Sequence, residues 1–294
     1  MTEQKFLAER FEANRTHLRK VAYRMLGSAS EADDAVQEAW LRLSRSDASA
    51  IENLSGWLTT VVARVCLDML RARQSRGEEP YGLNAPEPIR SREDANDPEQ
   101  DRLLADSVGL ALLVVLQTLA PAERVAFVLH DMFDLPFEEI APIVGRSSVA
   151  ARQLASRARR RVRGAHTMPD VDLAPQRDVV NAFLAASRNG DFQGLLAVLD
   201  PDVVLRADQA AVPGATATQL RGASTVAKNA LAFSGRSRFA QVARVNGTIG
   251  IVVAPHGRLS VVLLFMISRG KIIEIDVVVD PERLRRLDLA ILDE

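Results

Sequence analysis

The sequence predicts a multidomain protein in which two all-α domains precede an α+β domain with a curved antiparallel sheet. Three observations support this prediction. The 294 residues exceed what one core usually organises, so two or three domains are expected. Apolar residues recur at intervals of three, four and seven up to about residue 165, which is typical of helices. Beyond about residue 174, helical segments are followed by strand-like runs, which favours an α+β fold.

The predicted domain boundaries follow changes in composition. Residues 1–76 and 102–165 carry helical patterns, and residues 174–294 carry the mixed pattern. Residues 77–101 lie between the two helical parts and contain four prolines and an excess of acids. That composition is typical of a linker, so we place the first domain boundary there.

The helices of the first 165 residues carry their own end signals. Gly27 ends the first helix, and Ser30 and Ser55 are predicted to cap the next two. A strongly apolar helix is predicted over residues 103–119. Pro121 suits the first turn of the helix that follows it.

The C-terminal part predicts helices and strands in alternating blocks. Helices are predicted at 176–189, 191–199 and 223–233, and a strand at 203–207. Strand-like runs follow at 239–251, 259–267 and 271–279. Arg269 and Gly270 suit a tight turn between the last two. Within the last run, strict alternation predicts one face made of Ile273, Ile275, Val277 and Val279.

Composition excludes several classes of protein. A chain that is 47% hydrophobic and 26% charged is not disordered over most of its length. The single Cys66 excludes an internal disulfide framework and a cysteine zinc cluster, and the four histidines lack metal-ligand spacing. We expect no metal, no cofactor and no catalytic residue. The longest apolar runs are too short to span a bilayer and no signal segment is evident, so a cytoplasmic protein is predicted.

A basic block stands out in a chain whose net charge is only −1. Residues 140–169 contain seven arginines and no acid. The pattern here is typical of a helix-turn-helix: a helix that ends at Gly145, a short turn, and a second helix with a serine cap. Arginine and glutamine read base edges, and arginine also binds phosphates. The side chains predicted to contact DNA are Ser148, Arg152, Gln153, Ser156, Arg157 and Arg160.

The helical parts resemble a known family. Three stretches resemble region 2 of sigma factors: Ala22-Tyr23-Arg24-Met25-Leu26-Gly27-Ser28, Ala32-Asp33-Asp34-Ala35-Val36-Gln37-Glu38-Ala39-Trp40-Leu41-Arg42-Leu43 and Trp57-Leu58-Thr59-Thr60-Val61-Val62-Ala63-Arg64-Val65-Cys66-Leu67-Asp68. Residues 119–163 resemble their region 4, and no region 3 lies between. That layout resembles the extracytoplasmic-function (ECF) sigma factors.

The resemblance implies roles for individual residues. It implies that RNA polymerase core binds Asp33, Asp34, Gln37, Glu38, Trp40 and Leu41. It implies that the promoter −10 element is contacted by Asn53, Ser55, Trp57, Arg64, Arg71 and Arg73. The helix-turn-helix residues above would read the −35 element. The partners expected from the resemblance are therefore RNA polymerase core and promoter DNA.

The C-terminal part is similar to the SnoaL-like domains that are fused to one class of ECF sigma factors. Residues 81–88 resemble the linker motif of that class, and residues 280–284 resemble its C-terminal motif. The resemblance implies cis-regulation through intramolecular contacts of this domain. The regulatory residues it implies are Tyr81, Pro86, Glu87, Pro88, Asp208, Asp280, Pro281 and Leu284. It does not identify a ligand for the SnoaL-like pocket.

Two alternatives remain open from the sequence. The first is a one-component regulator that binds duplex DNA without polymerase and has a small-ligand domain. The second is a SnoaL-like cyclase or isomerase fused to helices, because Asp208, Asp276 and His256 could supply acid–base groups. The acidic stretch before Trp40 favours the sigma factor, since a simple regulator has no need of a polymerase-docking helix.

Overall fold

A computed structural model of the chain describes residues 3–46, 51–76, 109–164, 173–208 and 218–292. These residues form two compact units. The first contains residues 3–46, 51–76 and 116–160, and the second contains 109–115, 161–164, 173–208 and 218–292. The predicted linker 77–101, with its motif residues, lies outside the described residues.

The first unit begins with three long helices. They are α1 (Glu3–Leu26), α2 (Ala29–Ser44) and α3 (Leu54–Arg76). Gly27 ends α1 in a left-handed conformation with φ of 74°, as the sequence predicts. The predicted caps of the next two helices are wrong by two residues. Ser28 caps α2 by accepting from the backbone N–H of Glu31, and Asn53 caps α3 by accepting from that of Gly56 at 3.0 Å.

Shorter helices follow in the second helical part. They are α4 (Leu110–Thr118), α5 (Pro121–Phe127), a π-helical turn (Val128–Met132), α6 (Phe137–Val144) and α7 (Ser148–Arg163). Pro121 occupies the first turn of α5, as predicted. Gly145 ends α6 at a φ of 69°, and the hydroxyl of Ser147 accepts from the backbone N–H of Ala150 at the start of α7. Helix, turn and capped helix therefore follow each other as the sequence predicts.

The second unit is built on a seven-stranded sheet. Its helices are α8 (Ala174–Asn189), α9 (Phe192–Val198), α10 (Ala223–Ala232), α11 (Ser234–Ser237) and α12 (Pro281–Arg285). Its strands are β1 (Leu199–Ala207), β2 (Thr218–Arg221), β3 (Ala240–Val245), β4 (Thr248–Val253), β5 (Val261–Ser268), β6 (Lys271–Val278) and β7 (Leu289–Ala290). The strand order is β2-β1-β6-β5-β4-β3-β7, and every pair is antiparallel except β1 with β6.

Two sequence predictions about the strands are wrong. The run 239–251 is not one strand but the hairpin β3–β4, because Asn246 and Gly247 turn the chain at positive φ. The strict alternation predicted for β6 is broken near Ile273, where the pairing with β5 shifts register. Ile272 and Ile275 consequently lie in the same buried core.

One hydrophobic core holds the second unit together. It is formed by α8, α9 and α10 against one face of the sheet, and Phe183 and Phe265 meet in it edge to face at 5.4 Å between ring centroids. The amphipathic pattern of α8 places Val180, Phe183 and Leu184 towards the strands. Helices that cover one face of the sheet agree with the predicted α+β fold, and β1 and β6 are its parallel pair.

Candidate nucleic-acid interface

The second helix of the helix-turn-helix divides cleanly into a buried and an exposed face. Ala151, Ala155, Ala158 and Val162 are at most 3% exposed. Small residues at these positions allow close packing of α7 on its neighbours. The opposite face carries the side chains predicted to contact DNA: Arg152, Gln153, Ser156, Arg157 and Arg160 are exposed, and Ser148 is half-buried at the helix start. The structure thus brings five of the six onto one accessible surface.

Two arginines of α7 have acidic neighbours. Residues 140–169 contain no acid, but the fold supplies acids from distant positions to two of these arginines. Arg157 Nε donates to Glu123 Oε1 at 2.8 Å, and Arg159 forms an ion pair with Asp131. The Arg152 guanidinium lies 5.3 Å from the centroid of the Phe137 ring. These contacts orient the arginines while Arg152 and Arg157 stay exposed.

The six residues of α2 that were predicted to bind polymerase core lie on two different faces of the helix. Asp33 accepts from Arg19 of α1 at 2.8 Å, and Trp40 packs on Phe11 of α1 at 5.1 Å between ring centroids. The other four residues, Asp34, Gln37, Glu38 and Leu41, follow the helical spacing of three and four and form one surface stripe. Glu38 is bridged to Arg42 at 2.9 Å. Two of the six predicted residues therefore hold the bundle together, and four form the surface stripe.

An open cleft lies beside the start of α3. Its volume is about 400 Å³, and its lining is Arg10, Ala13, Asn14, Glu52, Asn53, Leu54 and Ser55. Asn53 and Ser55 were predicted as DNA-contacting residues. Arg10 and Asn14 were not predicted, because they belong to α1 and only the packing of α1 against α3 brings them to the cleft. A cleft of this size is within the usual range of roughly 300–1,000 Å³ for small-ligand sites.

The remaining residues predicted on α3 have different surroundings. Trp57 is half-buried and is not part of the cleft lining. Arg64 and Arg71 are exposed. Arg73 is half-buried, forms an ion pair with Glu31, and points Nη1 at the Leu26 carbonyl oxygen at 3.4 Å. The structure therefore places Arg73 at the α1–α2 junction rather than beside the cleft.

Asp208 joins two predicted regulatory segments in the second unit. Its carboxylate accepts from the backbone N–H groups of Val279 and Asp280 at 3.1 and 3.0 Å. Asp280 in turn caps α12 by accepting from the Arg283 N–H at 2.9 Å, Pro281 starts that helix, and Leu284 is 2% exposed. The loop after β1 is thereby fixed to the segment that follows β6.

Other polar groups on the sheet pair with one another. Arg283 contacts Asp208 at 3.4 Å and Asp276 at 2.8 Å, and Arg206 is paired with Glu274. Arg206 and Glu274 lie next to Leu205 and Ile275, whose side chains enter the core, so they occupy the opposite face of the sheet. The side chain of His256 lies outside the description.

The β3–β7 edge of the sheet contacts residues from the helical part of the chain. Gln241 Oε1 accepts from the backbone N–H of Ala111 in α4 at 2.8 Å. The backbone N–H of Ile291 donates to the carbonyl oxygen of Val162, in the last turn of α7, at 3.0 Å. The sequence carried no signal for either contact, since each joins positions about 130 residues apart.

Burial changes the pKa of three groups. Desolvation lowers the pKa of His17, with a further contribution from nearby Lys20, and desolvation lowers the pKa of Arg24. Burial raises the pKa of the Cys66 thiol well above its ordinary value, so this thiol is unreactive in the folded protein. Within the described ranges no group of three His, Cys, Asp or Glu residues could hold a metal ion. No described helix is long and apolar enough to cross a membrane.

Comparison with known proteins identifies both helical parts. The family model Sigma-70 region 2 matches residues 10–76, and the model Sigma-70, region 4 matches residues 109–162. The ECF RNA polymerase sigma factor SigJ of Mycobacterium tuberculosis is 41% identical over 250 residues, which cover 83% of this chain and 80% of SigJ. The probable ECF RNA polymerase sigma factor SigI of the same organism is 36% identical over 285 residues, which cover 97% of each chain.

A solved structure is similar over nearly the whole length. The crystal structure of Mycobacterium tuberculosis SigJ aligns with 35% identity and a TM-score of 0.45, and it covers 94% of this chain and 98% of that one. The two matched regions and the identity to SigJ over most of both sequences are sufficient to assign the family. This chain belongs to the ECF RNA polymerase sigma factors.

Proposed function

We propose that this sigma factor directs RNA polymerase core to promoters through three surfaces and that its C-terminal domain regulates it in cis. The observation that carries the proposal is the exposed face of α7, where Arg152, Gln153, Ser156 and Arg157 stand side by side on a helix-turn-helix. A recognition helix of this kind enters the major groove with its N-terminal residues on base edges. We assign this face to the −35 element.

The surface stripe of α2 is proposed to bind polymerase core. Asp34, Gln37 and Leu41 are exposed, and Leu41 is 39% accessible. An apolar side chain with polar neighbours is the composition expected of a protein–protein contact. Asp33 and Trp40 support the stripe from behind by fixing α2 on α1.

The cleft beside α3 is proposed to hold an unstacked base of the −10 element. Asn53 offers an amide and Ser55 a hydroxyl, and both line the cleft. Arg10 adds a cation to the lining. Polar groups around a small cleft suit the edge of a single base, and exposed Arg64 and Arg71 on the same helix suit the phosphates that follow it.

Cis-regulation is supported by contacts of the C-terminal sheet with matched region 4 residues. Ala111 and Val162 lie near the two ends of the region 4 match, and the β3–β7 edge hydrogen bonds to both. Asp208 and α12 fix the segment that leads into β7. A change in the C-terminal domain can therefore reach the end of the recognition helix through Ile291. We further propose that the linker motif at Tyr81, Pro86, Glu87 and Pro88 takes part in this regulation.

Core-dependent transcription from a randomised promoter pool tests the proposed function. Purified polymerase core, with and without the full chain, is given the pool, and the transcripts are sequenced. We expect defined start sites preceded by one −10 and one −35 motif only when the chain is present. Duplex binding without core, combined with no initiation, would favour the one-component regulator instead.

A backbone variant tests the regulatory part. Ile291→Pro removes the N–H that donates to Val162, whereas the control Ile291→Val keeps it. We expect Ile291→Pro to change transcript yield relative to wild type and Ile291→Val to leave it unchanged. Equal yields from all three proteins would contradict cis-regulation through this contact.

A further inference from the structure

One stretch of the C-terminal domain carries charge of a single sign. Residues 209–273 contain eight lysines and arginines and no aspartate or glutamate, although the chain as a whole is nearly neutral. The nearest acids on either side of this stretch are Asp208 and Glu274. Like charges that lie close together repel one another unless an anion approaches them. An anionic partner is therefore expected wherever these cations meet at the surface.

Three arginines meet where α8 ends beside α11. Arg188, in the last turn of α8, donates from Nε to the carbonyl oxygen of Ser237 at 3.1 Å and from Nη2 to that of Ala240. Arg236 and Arg238 flank Ser237 in the sequence, so these hydrogen bonds bring the three arginines together. A guanidinium has five N–H donors, and the two hydrogen bonds of Arg188 leave donors for an anion.

Two phenylalanine rings orient the arginines of this segment. The Arg236 guanidinium lies 5.5 Å from the centroid of the Phe233 ring. The Arg238 guanidinium lies 4.6 Å from the centroid of the Phe239 ring, and both distances are within the roughly 6 Å at which a cation interacts with an aromatic face. Phe233 is itself 52% exposed, so its pair with Arg236 lies at the surface. We call Arg188, Phe233, Arg236, Arg238 and Phe239 the basic patch.

No acid neutralises the basic patch among the described residues. The ion pairs found in that part of the second unit do not include Arg188, Arg236 or Arg238. The acid nearest to Arg188 in the sequence is Asp191, whose carboxylate caps α9 by accepting from the backbone N–H of Gly194 at 2.8 Å. Arg188 and Arg238 are exposed, and Arg236 is half-buried. The basic patch therefore offers three positive charges to a partner.

The chemistry of the basic patch suits the phosphates of duplex DNA. Arginine donates paired N–H groups to phosphate oxygens, and such contacts position a protein on DNA without reading its sequence. One face of the Phe233 ring is occupied by Arg236, so the ring orients a cation rather than stacking on an unpaired base. The proposed binding of α7 to the −35 element brings promoter DNA to the neighbouring part of the chain, which favours DNA over an acidic protein surface.

The size of the domain limits how far the basic patch is from the −35 element. The C-terminal part of the second unit begins in the last turn of α7, where the Ile291 N–H donates to the Val162 carbonyl oxygen at 3.0 Å. A domain of about 120 residues is roughly 35 Å across, which corresponds to about ten base pairs at about 3.4 Å per step. Any point on its surface is therefore within about ten base pairs of the end of the recognition helix.

We propose that the basic patch binds the phosphate backbone of the duplex next to the −35 element. This inference rests on the proposed function, in which α7 binds that element. The patch adds affinity without specificity, because the phosphates are the same at every base pair. The C-terminal domain thereby contacts DNA itself, in addition to its contacts with region 4.

The salt dependence of promoter binding measures this contact. Holoenzyme is assembled from polymerase core and the full chain, and its affinity for one promoter duplex is titrated at several salt concentrations. The double variant Arg236→Gln, Arg238→Gln removes two cations and keeps Arg188, whose hydrogen bonds connect α8 to β3. Each phosphate contact contributes about 0.9 to the slope of log K against log salt concentration, so we expect a slope shallower by about 1.8. The start sites should not change.

A charge-matched double variant is the control. Arg221→Gln with Arg269→Gln removes two exposed arginines of the same domain and should keep the wild-type slope. Arg221 is on β2, five strands from β3 in the sheet order, or about 24 Å at about 4.8 Å per strand. Arg269 follows β5 at the end away from Val261, about 25 Å from the sheet end beside Phe239.

Hydroxyl-radical footprints locate the contact on the promoter. We expect the wild-type holoenzyme to protect backbone positions within about ten base pairs of the −35 element that the Arg236→Gln, Arg238→Gln holoenzyme leaves open. The control holoenzyme should give the wild-type footprint. Identical footprints from all three would overturn the proposed contact.

The outcomes separate the basic patch from the proposed function. A wild-type slope in the Arg236→Gln, Arg238→Gln variant would overturn the DNA contact and leave the proposed function standing. An equal change in the control would overturn it as well, since overall charge would then explain the effect. A loss of affinity for polymerase core measured without DNA would overturn it in favour of a protein partner. No core-dependent promoter complex with the wild-type chain would overturn the proposed function, and the DNA contact with it.

Discussion

The recognition helix and the C-terminal sheet use their charged residues in opposite ways. Helix α7 keeps Arg152 and Arg160 exposed with no acid bound to them among the described residues, although Arg157 is paired with Glu123. In the second unit, Arg283 pairs with Asp208 and with Asp276, and Asp208 also accepts from the backbone. Charge that stays exposed can meet a polyanion, whereas charge that is paired within the chain stabilises a segment. We infer that the exposed charges of α7 recognise DNA, whereas the paired charges of the C-terminal sheet hold segments of that domain in position.

The largest effect should come from breaking the paired charges. Asp208→Ala leaves the backbone N–H groups of Val279 and Asp280 without their acceptor, and Arg283 keeps only Asp276 as an ion-pair partner. We expect the free energy of unfolding to fall by about 2–4 kcal/mol. Chemical denaturation checks this. Asp202→Ala, at an exposed position early in β1, is the control and should change stability by less than about 0.5 kcal/mol.

A smaller effect is expected from the exposed charges, and it should appear in binding. Arg152→Ala should weaken the holoenzyme–promoter complex by about 1–3 kcal/mol, since a side chain at a base edge is lost while the fold is kept. Binding titration at fixed salt measures it. Arg258→Ala removes an exposed arginine of the second unit and should not change the affinity. Equal losses for both variants would mean that only overall charge matters.

Exposed apolar side chains can be compared in the same way, with Leu41 on α2 and Met266 on β5. Leu41→Ala should reduce affinity for polymerase core roughly tenfold, since an apolar contact at the centre of an interface contributes more than about 1 kcal/mol. Met266→Ala truncates a side chain that is 57% exposed on β5 and should leave core binding unchanged. A pull-down titration with labelled core measures both. A larger loss of affinity for core from Met266→Ala than from Leu41→Ala would contradict the assignment of the core interface to α2 in the first unit.

The smallest effect concerns His17 and pH. Desolvation holds the pKa of His17 below 6.5, so the unfolded chain takes up a proton at higher pH than the folded chain does. The contribution of His17 to the free energy of unfolding should therefore be fully present above pH 6.5. It should be lost as the pH falls through the lowered pKa of the folded state. Thermal unfolding between pH 5 and 7.5 measures it, with His17→Gln as the variant that should lose this dependence. A stability that rises on acidification would contradict the assignment.

The sequence predicted most elements because periodicity is local information. It placed the three long N-terminal helices and the turn at Gly145 correctly, but it missed the short helices α11 and α12. It missed the caps at Ser28 and Asn53, because residues that can cap a helix stand two positions apart at both sites. Several serines and asparagines near one helix start are equivalent until packing selects among them.

Contacts between residues that are distant in the sequence could not be predicted from local patterns. Glu123 is 34 residues from Arg157, and Asp131 is 28 residues from Arg159, so no local pattern announces these ion pairs. The same holds for the cleft, which needs Arg10 and Asn14 from α1 beside Asn53. The two-residue strand β7 is too short for any periodicity to reveal.

We propose that the exposed face of α7 reads the −35 element. The most direct test repeats the randomised-promoter transcription with Gln153→Ala, which removes one candidate base contact from that face. We expect relaxed sequence preference at one or two −35 positions and an unchanged −10 motif. An unchanged −35 motif, or a change confined to the −10 motif, would contradict it.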